Sequence, residues 1–137
     1  MIILDTNVLS EPTRAAPSIV VRRWLQSQAI QDLYTTAITE AEMMGGVAIL
    51  PAGRRRDALT QQVERLFGED FQGRILAFDE DAARAFPAVA RVAHGRPMME
   101  PDRQIAAIAR AHGATLATRN IKDFAGCGLT LVNPWTE

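Results

Sequence analysis

The sequence holds a single cysteine, Cys127, and a single lysine, Lys122. One thiol excludes an intrachain disulfide and a multi-thiolate metal cluster within the chain, and leaves Cys127 to act as a small buried hydrophobe. Charge of one sign is not in surplus either: 15 basic residues face 16 acidic ones, for a net charge of −1. A globally basic footprint for nucleic acid is thereby absent, and any phosphate binding has to be local. No apolar run is long enough to span a bilayer, and no signal-like segment precedes the first strand pattern, so a soluble cytoplasmic protein without membrane contact is expected. There is no internal repeat, no low-complexity tract and no Gly-x-Gly-x-x-Gly after the first apolar run, which argues against dinucleotide binding. His94 and His112 have no metal-ligand partner nearby in the sequence.

What is present fits one domain over residues 1–137, since 47% hydrophobic content is enough for a real core at this length. MIIL reads as a short buried strand, with Asp5 at its carboxyl end. Helical spacing predicts a helix over 18–28, and LYTTA (33–37) a strand. ITEAEMMGGVAIL (38–50) is apolar enough for a buried helix, and Pro51-Ala52-Gly53 breaks it. A third helix is expected over 54–67, a strand over 74–78, and a helix over 81–94 with Asp79 as its cap and Pro87 inside it. The last third predicts a helix over 101–112, a strand over 114–118 and another over 129–132. Pro101 and Gly113 bracket that helix as start and stop residues do. Strands alternating with helices imply an α/β protein, a three-layer α/β/α sandwich with a mostly parallel central sheet.

The carboxyl edge of such a sheet is where open α/β folds bind their ligands. Asp5 and the Thr118-Arg119-Asn120 stretch would both end strands there, although Asp5 or Asn7 could equally cap the following helix. Asp102 falls in the first turn of its helix, on the stripe of Ile105, Ala106 and Ala109. It can be a stabilising first-turn acid or an inward-facing ligand. Thr39-x-x-Glu42 fits a capping box if the helix starts at Thr39; against this, Glu42 shares a face with Ile38, Gly45 and Ile49, and the paired Gly45-Gly46 suggests a close backbone approach. Glu40 competes with it. Several carboxylates in one pocket require a cation, and all-oxygen ligation selects Mg²⁺ or Mn²⁺, ions that handle phosphates.

LDTNVLSE, ITEAEMMGG, PDRQIAAIA and TRNIKDF, in this order and with the closing NPW (Asn133 to Trp135), resemble the PIN-domain family, and within it the FitB-like branch of the VapC-type ribonuclease toxins. The resemblance covers essentially the whole chain. It implies a metal-dependent endoribonuclease, the toxin of a type II toxin-antitoxin system, with Mg²⁺ or Mn²⁺ held by Asp5, Glu42 and Asp102. It also implies a homodimer bound to a small antitoxin that blocks the site and carries the DNA-binding domain, so that DNA is engaged only indirectly. Asn120 stands where the family usually has a fourth acid, and Asp123, three residues on, is the alternative. Thr6, Thr118, Arg119 and Asn120 would arrange the acids and the substrate phosphate; Arg119 and Arg54 to Arg56 are the first places to seek RNA contacts, although a solvated helix surface or an antitoxin contact is the stronger reading of Arg54 to Arg56. A second reading is a catalytically silent PIN-like module that engages an antitoxin in a repressor complex. A haloacid-dehalogenase-type phosphotransferase would need a second acid at position 7, where the chain has Asn7.

Overall fold

Short runs of β-branched and leucine residues, each followed by a helix, build a sheet whose two faces are both covered. In a computed structural model describing all residues 1–137, β1 (Ile2–Leu4), β2 (Leu33–Thr36), β3 (Ile75–Leu76), β4 (Thr115–Ala117) and β5 (Thr130–Val132) form one sheet in the order β3-β2-β1-β4-β5. All four pairings are parallel, with Ile3 beside Tyr34 and Leu116, and Leu4 beside Ala117. The expected three-layer α/β architecture is therefore present, and the sheet is wholly rather than mostly parallel.

Alternation along the strands divides the core. Ile3 and Leu116 face one way, packing with Val89 and Ala93 of α5 (Glu80–Ala93) and with Ile105 to Ala109 of α6 (Glu100–Ala111). Leu4, Leu33 and Ala117 face the other, against Val21 of α2 (Ile19–Ser27), Met43 of α3 (Ala37–Ala48) and Val63 of α4 (Arg54–Arg65). Cys127 is free and fully buried in the first of these clusters, as its chemistry suggested.

Local signals set the helix starts. The Ser18 hydroxyl accepts from the Val21 N–H, and the Asp79 carboxylate from the Ala82 N–H at 3.0 Å. Pro101 lies in the first turn of α6, and Gly113 follows its end at φ +59°. Several expectations fail. The cap of α3 is Thr36, whose hydroxyl accepts from the Thr39 N–H at 3.1 Å, so no capping box joins Thr39 to Glu42. Added Cβ atoms at Gly45 and Gly46 would meet nothing within 4 Å, so no backbone approaches there. Finally, α3 is not a buried helix: only Thr39 and Met43 are buried, while Met44 and Ile49 are exposed. The strand expected over 74–78 shrinks to two residues, and α4 gives way to a wide helical turn over Leu66–Asp70.

Candidate active site

β1 ends at Leu4, and the chain turns at once into the short helix α1 (Thr6–Ser10), with Asp5 as its cap. Asp5 thus caps α1 and at the same time stands at the carboxyl end of β1. One carboxylate oxygen accepts from the Thr6 N–H at 2.8 Å, the other from the Thr118 hydroxyl at 2.7 Å. Parallel pairing of β1 with β4 brings Thr118 to the same sheet edge. Asp5 is buried, and burial pushes its carboxyl above the usual range despite these donors; Glu42 adds to the effect.

Asp102 enters from the first turn of α6. Burial pushes it up to about 6, helped by the negative charges of Asp5, Glu42 and Asp123. Asp5 after β1, Glu42 of α3 and Asp123 of α7 (Ile121–Phe124) thus stand near enough to Asp102 of α6 for their charges to act on it. Glu40, although in the same helix as Glu42, influences neither Asp5 nor Asp102. Glu42 is exposed on the rim rather than inward, because the face it shares with Gly45 and Ile49 is open to solvent. What ties it to the site is the Thr6 hydroxyl, which donates to its Oε1 at 2.7 Å.

Arg119 and Asn120 are exposed beyond the end of β4. The Arg119 N–H donates to the Asn7 side chain at 3.4 Å, and its guanidinium lies 4.9 Å from the centre of the Trp135 ring. The Asn120 N–H donates to the Thr118 hydroxyl at 3.1 Å, while its side chain makes no hydrogen bond. Asp123 is the residue whose charge reaches Asp102. Arg119, Asn120, Lys122, Asp123 and Asn133 line one open cleft of about 390 Å³. Arg54 to Arg56 are elsewhere. They open α4, which begins beyond the end of α3.

No cation of the protein neutralises the four acids. The two ion pairs of the chain, Arg14–Glu11 and Arg84–Glu80, lie outside the cluster. Glu11 is a buried acid to which the sequence reading gave no role; it accepts from the Ser18 N–H at 3.1 Å and from Arg14, and so ties α1 to α2. The donor set of the cluster is all oxygen and suits a hard divalent ion. The acids do not make a closed cage, since no three His, Cys, Asp or Glu side chains converge tightly enough to enclose an ion. An open arrangement fits Mg²⁺, which keeps several waters and uses only one or two carboxylates.

A wholly parallel five-stranded sheet with acids gathered at its carboxyl edge is the architecture of PIN domains, and the PIN domain model matches residues 2–125; the chain belongs to the PIN-domain family. Toxin FitB of Neisseria gonorrhoeae is 41% identical over all of both chains. VapC ribonuclease Y4jK of Sinorhizobium fredii is 42% identical over 98% of each. In solved structures, the FitAB complex bound to the IR36 DNA fragment contains a chain 41% identical, with a TM-score of 0.90 over 98% of this chain and 96% of that one. The FitB-like resemblance of the motifs is thus matched along the whole length.

Proposed function

We propose that the chain is a metal-dependent endoribonuclease and the toxin of a toxin-antitoxin pair. The observation that carries this reading is the cluster of Asp5, Glu42, Asp102 and Asp123, two members of which are pushed up in pKa and none of which is paired with a cation of the protein. Asp5 and Asp102 would hold Mg²⁺ or Mn²⁺, with Glu42 ligating it or orienting its water. The bound ion supplies an activated water and charge stabilisation at the scissile phosphate. Asp123 takes the fourth acidic position, and Asn120 contributes a neutral polar group at the cleft. The Thr118 and Thr6 groups hold both Asp5 oxygens in place, which keeps them aimed at the sheet edge.

RNA meets a negative cluster, so cations must flank it. Arg119, steadied by Trp135, and Lys122 border the acids from the cleft side and suit contacts to backbone phosphates. Kinship with FitB and VapC, and the solved FitAB–DNA complex, support a small DNA-binding antitoxin as partner, a homodimeric toxin and indirect contact with DNA. The exposed apolar residues Met44, in α3, and Ile49, just past its end, are what a chain that works inside a complex would present.

The test is RNA cleavage by the partner-free protein with Mg²⁺, with Mn²⁺ and with excess chelator. Cleavage that needs the metal and vanishes in Asp102→Asn is expected. A folded protein that cleaves no RNA with either metal would overturn the catalytic reading and leave the silent binding module.

A further inference from the structure

Two chains of hydrogen bonds meet at Asp5 and Thr6. One runs from the Asn120 N–H through Thr118 to Asp5. The other starts from residues with no part so far: the Thr36 hydroxyl reaches the Thr39 hydroxyl at 3.4 Å, Thr39 lies 3.0 Å from the Thr6 hydroxyl, and Thr6 donates to Glu42 at 2.7 Å. We infer that Thr39 is a positioning residue, whose hydroxyl aims that of Thr6 at Glu42 and so holds the Glu42 carboxylate at the acidic cluster. The inference rests on the metal-nuclease reading of the same site.

Proton counting fixes the direction of the second chain. A carboxylate only accepts, and each hydroxyl has one proton to give. Thr6 gives its proton to Glu42, so in the contact between Thr6 and Thr39 the donor is Thr39. Thr39 has then spent its proton and accepts from Thr36. Hydroxyls aligned head to tail polarise one another, which strengthens the last bond to the carboxylate.

Capping does not explain the Thr39 side chain. The α3 cap uses the Thr36 oxygen and the Thr39 backbone N–H, and would survive without the Thr39 hydroxyl. Nor does the helix hold Glu42 in place, because Glu42 is exposed and its carboxylate has no hydrogen-bond partner other than Thr6. Repulsion from Asp5 and Asp102 drives such a side chain outward into water. The Thr6 bond opposes that drift. Thr39 and Thr36, both fully buried, give the bond a rigid anchor.

The test compares wild type, Thr39→Val, Thr39→Ser, Thr6→Val and the Thr6→Val/Thr39→Val double variant. Mn²⁺ binding is measured by titration calorimetry, and RNA cleavage is followed against Mn²⁺. Thr39→Val should raise the Mn²⁺ dissociation constant about fivefold, the scale of one lost hydrogen bond. The half-activating Mn²⁺ concentration should rise equally, with kcat at saturation little changed. Thr39→Ser should stay close to wild type, and Thr39→Val should add nothing in the Thr6→Val background. Full additivity in the double variant, or unchanged Mn²⁺ binding by Thr39→Val, overturns the inference while the nuclease reading stands. If Thr39→Val does not fold, half-buried Thr6→Val reports the same bond, and wild-type Mn²⁺ affinity there is equally fatal to the inference. Wild type that binds no Mn²⁺ and cleaves no RNA removes the underlying reading and the inference with it.

Discussion

Asp5 carries two loads that ordinarily compete, capping α1 through the Thr6 N–H while standing buried among other acids. Replacing it with Asn keeps most of the shape and removes one charge. Asp5→Asn should abolish metal-dependent cleavage, and a thermal melt without metal should show equal or higher stability, because repulsion in the cluster is relieved. Asp102 makes the same field visible through pH. Its folded pKa of about 6 lies above the unfolded value of 3.8. Between those values the folded chain keeps a proton that the unfolded chain has released, so stability is present below the lower value and is lost as pH rises through the upper one. Asp102 is half-buried, and water screens part of the effect, which leaves about 1 kcal/mol. Metal-free protein should therefore lose this increment between pH 4 and pH 7, Asp102→Asn should remove that slope, and saturating Mg²⁺ should restore stability at neutral pH.

Long elements with a buried stripe were readable from the sequence, and α6 shows why. Its apolar positions recur at helical spacing, Pro101 and Gly113 mark its ends, and Asp102 falls on the inward stripe. Periodicity failed on α3, which is apolar nearly all round and yet open to solvent on one side, so that Glu42 reached the site by way of Thr6 and not through an inward face. It was silent on α1 and α7, which are too short to show a repeat. The Thr6–Thr39 contact joins residues 33 apart, and only the folded chain brings them together. The choice between Asn120 and Asp123 depends on how α7 leaves β4. On the proposed assignment of Asp123 as the fourth acid, Asp123→Asn should raise the Mg²⁺ needed for half-maximal cleavage, whereas Asn120→Asp should change it far less. The loop after α7 is fixed by Arg110, which donates to the Cys127 carbonyl at 2.9 Å. Gly128 has φ +77°, and a Cβ there would lie 1.9 Å from the Arg110 Nη1. Gly128→Ala should destabilise the chain by about 2 kcal/mol, combining positive-φ strain with loss of that hydrogen bond, as chemical denaturation would measure.

For the whole molecule, a net charge of −1 means that, on the proposed function, RNA would be attracted by position and not by bulk charge. Few phosphates can be neutralised at once. The slope of log affinity against log salt should be shallow, about −1.4 for two contacts on a single strand, and Arg119→Ala should reduce it by about 0.7. The acids come from the end of β1 and from α3, α6 and α7, which only the complete sheet assembles. The most direct test of the account is the anomalous difference map of a crystal of the free protein soaked in Mn²⁺. The account predicts one strong peak bounded by the carboxylates of Asp5 and Asp102, on the side open to Glu42 and Asp123, and no such peak in Asp5→Asn. A strong peak elsewhere on the surface, with nothing beside Asp5, would contradict it.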